Sequence, residues 1–252
     1  MYDTHMNTQL ETIGPWCPHH VERASMSHRW DNLTFLHWPV APHLVQDLLP
    51  PGLEVETFEG TAWVGLVPFE MEVSLPEGGA APWLCNFAET NVRTYVRAPD
   101  GSTGVWFLSL EAARLAAVVT ARTTYRLPYY WAKMSVDTAG PVVSYRSRRR
   151  WPGQYGASCD VAVEVGERFE PGELTDRDHW LTARYQLYSS SGGGLRYALA
   201  EHDPWRLYRA RLLHADTSLI EAAGLPQPVG PPIVHWSPGV AVRVGYPHRL
   251  VA

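Results

Sequence analysis

Glutamate, asparagine and arginine recur at every second position in the segment NFAETNVRTYVRA, residues 86–98. A period of two is typical of a β-strand, and it places five large side chains on one face: Phe87, Glu89, Asn91, Arg93 and Tyr95. Alternate residues on a strand lie ~6 to 7 Å apart, so Glu89, Asn91 and Arg93 could contact one small ligand together. Such a face either meets water or lines a pocket, and its two aromatic residues favour the pocket.

The chain contains one lysine, Lys133, in the segment LPYYWAKM, although it has 21 Lys and Arg residues in total. A lysine amine forms a Schiff base with a ketone once burial or a neighbouring cation lowers its pKa. A bias in composition would also replace lysine by arginine throughout a chain, and the 20 Gly and 21 Pro agree with such a bias. Lys133 therefore remains either a catalytic amine or a structural residue at the rim of a pocket.

An arginine and three tyrosines follow the polar strand and add further candidate ligand contacts: Arg122, Tyr125, Tyr129 and Tyr130. A guanidinium can bind an anion, and a phenol can donate a hydrogen bond.

Among the 11 histidines the densest group, in CPHH at 17–20 with His28 nearby, matches no common zinc spacing. No G-x-S-x-G elbow is present, and no G-x-G-x-x-G follows a strand. The sequence therefore predicts neither a metal nor a cofactor.

The composition narrows the class of protein and of partner. A formal net charge of −5 argues against a nucleic-acid partner, because phosphate binding depends on an excess of Lys and Arg. The basic run RSRRR at 146–150 is interpreted as a solvated strand end. Three cysteines without a C-x-x-C spacing indicate neither a disulfide framework nor a zinc site, and they favour the cytoplasm. No apolar stretch is long enough to span a membrane, and a homo-oligomer remains open.

Short alternating runs separated by Gly, Pro and Asp predict a mostly antiparallel β protein of the α+β class with few helices. NLTFLHWPV at 32–40 is the first predicted strand, and VWFLSL at 105–110 is a central one. SLEAARLAAVVTAR at 109–122 is the best predicted helix, because it is rich in Ala and Leu. Residues 1–30 have no sustained period and are interpreted as an N-terminal arm. Residues 31–252 are interpreted as a single domain.

The order of these segments resembles the acetoacetate decarboxylase superfamily and, within it, the uncharacterised YqjF-like family. Three blocks carry the resemblance and cover most of residues 30–215: DNLTFLHWPVAPHLVQDLLPPGLEVETFEGTAWVGLVPFEM, FAETNVRTYVRAPDGSTGVWFLSLEAARLAAVVTARTTYRLPYYWAKM, and the looser RYQLYSSS with LRYALAEHDPWRLYRARL. The resemblance implies a β-barrel or cone that encloses a pocket.

The resemblance also implies roles for individual residues. The pocket glutamate of the decarboxylases falls on Glu89, and the arginine that closes their helix falls on Arg122. Their carboxylate-binding arginine upstream of the first strand has Arg29 as its nearest counterpart. The two adjacent lysines after the proline, one of which forms the Schiff base, fall on Tyr129 and Tyr130.

Both decarboxylase amines are therefore missing, and Lys133 lies four residues beyond the position of the nucleophile. A true acetoacetate decarboxylase is disfavoured for this reason. Lys133 keeps the right chemical type at the wrong position, and no neighbouring cation is available to lower its pKa.

These observations predict a protein that binds a small carboxylate- or carbonyl-containing molecule in a barrel pocket. The enzyme hypothesis is a lyase, isomerase or hydrolase acting on a small keto or carboxylic acid, with three candidate catalytic residues: Glu89, Lys133 and Tyr129. The candidate substrate-binding residues are Arg122, Arg29, Asn91, Arg93, Tyr130 and Tyr125. The alternative is a non-catalytic small-molecule-binding protein on the same scaffold.

Overall fold

The computed structural model describes residues 14–74, 86–170, 172–192 and 194–250. The described residues form thirteen strands: β1 Ala24–Val40, β2 Glu54–Val55, β3 Ala62–Ser74, β4 Phe87–Arg97, β5 Thr103–Ala112, β6 Tyr129–Ala139, β7 Val142–Trp151, β8 Ser158–Arg168, β9 Gln186–Ser191, β10 Gly194–His202, β11 Tyr208–Thr217, β12 Ile233–Gly245 and β13 His248–Arg249. They also form four short helices: α1 Pro42–Gln46, α2 Leu115–Thr124, α3 Asp176–Thr182 and α4 Leu219–Ala222. The predicted α+β class with mostly antiparallel strands and few helices is confirmed.

The strands belong to one sheet that closes on itself twice. A larger ring runs β5-β6-β7-β8-β11-β12-β1-β3-β4 and returns to β5. A smaller ring runs β5-β9-β10-β12-β1-β3-β4 and also returns to β5. The two rings share the wall β12-β1-β3-β4-β5, so each shared strand has one face toward each ring. All pairs are antiparallel except β5 with β6 and β5 with β9.

The apolar residues of the shared wall separate into two cores because side chains alternate along a strand. Leu33 and Phe35 of β1 pack in the smaller ring with Val67 and Phe69 of β3. Leu36 of β1 lies in the core of the larger ring, with other β3 side chains. Both faces of the wall are therefore buried along these parts of β1 and β3, which explains why the strands are apolar on both sides there.

A local irregularity in β1 decides which of its residues face the smaller ring. The pairing of β1 with β3 is interrupted between Asp31 and Leu36, and Asn32 has a φ of 47°. Asparagine tolerates this left-handed conformation better than most residues do. The interruption changes the alternation, so that His28 and Trp30 before it face the same side as Leu33 after it.

Three sequence-based element predictions need correction. β1 begins at Ala24, eight residues before the predicted start, and so includes the end of segment 1–30. The predicted helix at 109–122 is wrong at its start, because residues 109–112 complete β5 and α2 begins at Leu115. In the run at 146–150, Arg146, Arg148 and Arg150 are exposed near the end of β7 as predicted, but Arg149 is buried. Within the described ranges, no helix is long and apolar enough to cross a membrane.

Candidate functional site

A cavity of about 150 Å³ lies inside the smaller ring and is lined mainly by apolar side chains. Its walls come from the inner faces of β1, β3, β4, β5, β9, β10 and β12, together with α2 and the start of β6. Glu89, Asn91 and Arg93 all line it, as the period of two along β4 predicts. An apolar cavity of about this volume holds a molecule the size of benzene. The polar face of β4 is therefore turned toward a chamber of ligand size.

Glu89 is buried in this cavity and is held by Tyr129, the first residue of β6. The Tyr129 hydroxyl donates a hydrogen bond to Oε2 of Glu89 over 2.9 Å. Glu89 is 2% exposed, and Tyr129 lines the same cavity. The two strands are brought together by β5, which pairs antiparallel with β4 on one side and parallel with β6 on the other.

Burial raises the pKa of Glu89 to about 8, with a smaller upward contribution from the charge of Glu111. The hydrogen bond from Tyr129 opposes this shift, because it stabilises the charged carboxylate. The pKa of the Tyr129 phenol is raised well above its usual value, first by burial and then by Glu89. At neutral pH the pair therefore consists of a neutral carboxylic acid and a neutral phenol.

Arg93 and Asn91 line the same cavity, and each has a buried polar atom without a hydrogen-bond partner. Nη2 of Arg93 donates to the carbonyl oxygen of Leu181 over 3.1 Å, but Nε has no hydrogen-bond partner. The guanidinium lies 5.2 Å from the ring centre of Phe35. Oδ1 of Asn91 is also buried without a partner. Among the described residues, no carboxylate forms an ion pair with Arg93.

Arg184, which the sequence analysis did not single out, lines the cavity close to Arg93. Its Nη1 donates to Oε2 of Glu56 over 2.6 Å, whereas its Nη2 is buried without a partner. Burial is the main cause that lowers the pKa of Arg184, and the charge of Arg93 lowers it further. Arg184 comes from the short connection between α3 and β9, in a segment whose sequence is compatible with helix or strand.

Two aromatic side chains and a histidine were also missed by sequence reasoning. Trp30 and Trp205 stack with ring centres 6.1 Å apart, and both line the cavity. His28 lines it too, and neither of its ring nitrogens has a partner. Burial lowers the pKa of His28 to about 4, so its imidazole is neutral at pH 7. The interruption of the β1 alternation at Asn32 conceals His28 and Trp30 from a simple period of two.

Arg122 and Tyr125 lie near the cavity in different ways. Tyr125 lines it, and its hydroxyl bonds to Ser25 and donates to the carbonyl oxygen of Gly245 over 3.2 Å. Nη1 of Arg122 donates to the carbonyl oxygen of Tyr129 over 2.8 Å. Arg122 does not line the cavity, so it is placed to position Tyr129 and not to hold a ligand anion.

Lys133, Arg29 and Tyr130 do not reach the cavity, contrary to the roles expected of them. Lys133 is exposed and lies two residues past Trp131, the last residue of β6 that pairs with β5. Arg29 is 56% exposed on the outer face of β1, with Nε 2.9 Å from a carboxylate oxygen of Asp31.

Tyr130 faces away from Tyr129 because adjacent residues on a strand alternate. It stacks against Arg149, whose guanidinium lies 3.6 Å from the ring centre.

Arg149 forms a buried ion pair with Glu111 on the face of the shared wall that is opposite to Glu89. Nε of Arg149 donates to Oε1 of Glu111 over 2.8 Å, and both side chains are at most 2% exposed. Glu111 pairs with Thr90 in the β4–β5 register, so its side chain lies on the wall face opposite to Glu89. Among the described residues, no group of three or more His, Cys, Asp or Glu side chains could hold a metal ion.

Comparison with known proteins identifies the family. The family DUF2071, described as an uncharacterised conserved protein, matches residues 27–241. The chain belongs to this family. It is 32% identical to the uncharacterised protein YqjF of Bacillus subtilis (strain 168) over 213 residues, which are 84% of this chain and 87% of that protein.

Solved structures with the same fold include acetoacetate decarboxylase-like enzymes. An acetoacetate decarboxylase-like enzyme from Sphingomonas wittichii RW1 has a TM-score of 0.62 and 12% identity, with 91% of this chain and 94% of that chain covered. The acetoacetate decarboxylase of Legionella pneumophila has a TM-score of 0.59 and 14% identity, with 94% of this chain and 92% of that chain covered.

The enduracididine biosynthesis enzyme MppR, complexed with pyruvate, has a TM-score of 0.59 and 15% identity, over 90% of each chain. The first two of these likenesses confirm the acetoacetate decarboxylase-like fold.

Proposed function

We propose that this chain is an enzyme that binds a small carbonyl-containing molecule in the smaller-ring cavity and transfers a proton to or from it through Glu89. The observation that carries the proposal is a buried carboxyl group that a phenol holds inside an apolar cavity of ligand size, where burial raises its pKa to about 8. A general acid is most useful when its pKa lies near the working pH, and Glu89 meets that condition.

Glu89 can serve as an acid or as a base because both forms are populated near its pKa of about 8. Roughly one Glu89 side chain in ten is ionised at pH 7, as a pKa one unit higher requires. The protonated form can donate to a carbonyl oxygen or an enolate carbon. The ionised form can remove a proton from a carbon next to a carbonyl, and Tyr129 then stabilises the carboxylate.

An amine mechanism does not fit the same cavity. Lys133 is the only lysine in the sequence, and it is exposed beyond the chamber wall. The two tyrosines that stand where the decarboxylases have lysines also diverge, since Tyr129 faces the cavity and Tyr130 faces Arg149. The proposed reaction is therefore proton transfer next to a carbonyl, of the isomerase, lyase or hydrolase type.

Proton transfer is tested by deuterium exchange. The protein is incubated with a panel of ketones and keto acids in deuterated water, and exchange at the carbon next to the carbonyl is followed by NMR. The wild-type chain should catalyse deuterium exchange in at least one compound. Glu89→Gln should abolish this exchange while leaving the affinity for that compound within about tenfold, or 1.4 kcal/mol. Glu72→Gln is the control, because Glu72 is exposed on β3.

Two outcomes argue against the proposal. If Glu89→Gln weakens binding as much as it weakens exchange, Glu89 is a binding residue and the non-catalytic alternative is favoured. If the wild-type chain catalyses deuterium exchange in no compound of the panel, the proposed proton transfer through Glu89 is wrong.

A further inference from the structure

The end of the cavity at Arg93 and Arg184 carries more positive charge than the protein neutralises. Arg184 is paired with Glu56, but Arg97 also approaches that carboxylate, with Nη2 3.7 Å from Oε1. Arg93 has no acidic partner among the described residues. Its contacts with Phe35 and Tyr95 offer cation–π attraction but no hydrogen-bond acceptor.

Two nitrogen donors at this end have no acceptor, although both side chains are more than nine-tenths buried. These donors are Nε of Arg93 and Nη2 of Arg184, and the two side chains are 8% and 7% exposed. Both guanidinium groups lie against the ring of Tyr95, at 5.7 Å and 4.5 Å from its centre. A buried charge without partners is costly, so this arrangement favours an anion beside the two guanidinium groups.

The anion end and the acid end of the cavity are separated along β4. Four residues of strand place the α-carbons of Glu89 and Arg93 ~13 Å apart. Asn91 lies between them, and its amide has no partner at Oδ1. The cavity that contains both ends is also lined by aromatic residues, including Trp30, Trp205 and Phe107. A ligand that contacts both ends therefore needs an apolar body between its anion and its reactive group.

We infer that Arg93 and Arg184 form a carboxylate subsite and that the ligand is an elongated amphipathic acid. Its carboxylate binds the two guanidinium groups, its apolar body packs against the aromatic lining of the cavity, and its far end reaches Glu89. The inference deepens the proposed function. Only the contact between the far end of the ligand and Glu89 rests on that function. It differs from the sequence expectation, which gave the anion to Arg122 or Arg29.

The subsite is tested with an acid and its neutral amide, which have the same shape but differ in charge. The probes are 3-phenylpropanoate, 3-phenylpropanamide and the short acid propanoate, and isothermal titration calorimetry at pH 7 measures their affinities. The wild-type chain should bind 3-phenylpropanoate at least tenfold more tightly than either other probe. Tenfold corresponds to about 1.4 kcal/mol.

Variants assign this preference to the named residues. Arg93→Gln should reduce the ratio of acid to amide affinity to within threefold while the amide still binds, and Arg184→Gln should reduce the ratio at least threefold. Arg29→Gln is the matched control, because Arg29 is exposed and outside the cavity, and it should leave the ratio unchanged. Circular dichroism establishes that each variant is folded, and Arg184→Gln decides if Arg93→Gln does not fold.

Three results would overturn the inference: equal binding of acid and amide by the wild-type chain, a full preference retained in both cavity variants, or no binding of any probe. The proposed function fails separately. If deuterium exchange is absent but the preference for the acid depends on Arg93, the carboxylate subsite stands and the catalytic role of Glu89 does not.

Discussion

Replacing Glu89 by glutamine should stabilise the protein at neutral and alkaline pH although it removes the proposed acid. Burial raises the pKa of this carboxyl group from 4.5 to about 8 in the folded protein. Between these two values the unfolded chain releases the proton and the folded chain keeps it. The folded state therefore loses stability relative to the unfolded state as the pH rises through this interval.

The magnitude follows from the size of the shift. Each pKa unit corresponds to 1.36 kcal/mol, so a shift of about 3.5 units costs about 5 kcal/mol once the pH exceeds 8. At pH 5 most of this cost is absent, because that pH is only about half a unit above the pKa of 4.5 from which the shift starts. Glutamine stays neutral at every pH, and its amide oxygen can still accept the hydrogen bond from Tyr129.

Urea unfolding of the wild-type chain and Glu89→Gln at pH 5 and pH 8 measures the difference. The stability advantage of Glu89→Gln should grow by about 3 kcal/mol between these two pH values. Glu72→Gln serves as the control and should show no such growth, because its carboxylate is exposed. Parallel pH curves for the wild-type chain and Glu89→Gln would mean that Glu89 titrates near its usual pKa, and the reasoning from a dry cavity would be refuted.

Three further changes separate the roles of the neighbouring residues. Tyr129→Phe removes the one hydrogen bond that lowers the pKa of Glu89, so the pH midpoint of deuterium exchange should move upward; an unchanged midpoint would contradict this contact. Lys133→Ala should change the free energy of unfolding by less than about 0.5 kcal/mol, and borohydride with keto acids should leave no adduct on the wild-type chain by mass spectrometry. Arg149→Met should cost about 3 to 5 kcal/mol in urea unfolding, because it leaves Glu111 buried without its partner, and adding Glu111→Leu should recover most of that loss.

The sequence predicts those site residues that lie on a strand whose side chains alternate without interruption. β4 has an unbroken alternation from Phe87 to Tyr95, and its polar face lines the cavity as expected. β1 breaks its alternation at Asn32, so the inward direction of His28 and Trp30 could not be read from spacing. A positive φ at an asparagine is a local signal, but many asparagines adopt other conformations, so the sequence could not identify this one.

Long-range pairing explains the errors in the elements. The segment at 109–112 has the composition of a helix start, but these residues complete a strand between β4 and β6. Glu111 falls in the first turn of the helix predicted at 109–122, whereas it is buried opposite Arg149, which lies 38 residues away. Propensity is a weak signal, and tertiary pairing outweighs it where a buried ion pair and two strand neighbours act together.

The spacing of the two charged ends of β4 explains how one cavity can contain a neutral acid and an unpaired cation. A guanidinium within a few ångströms of Glu89 would favour its carboxylate form and lower its pKa. The pKa of Glu89 instead responds to burial, to Tyr129 and to Glu111, with no contribution from Arg93. An acid and an anion-binding group on one strand face neutralise each other unless an intervening residue separates them. Asn91 supplies that separation, and its uncharged amide leaves the proton on Glu89 and the positive charge on Arg93.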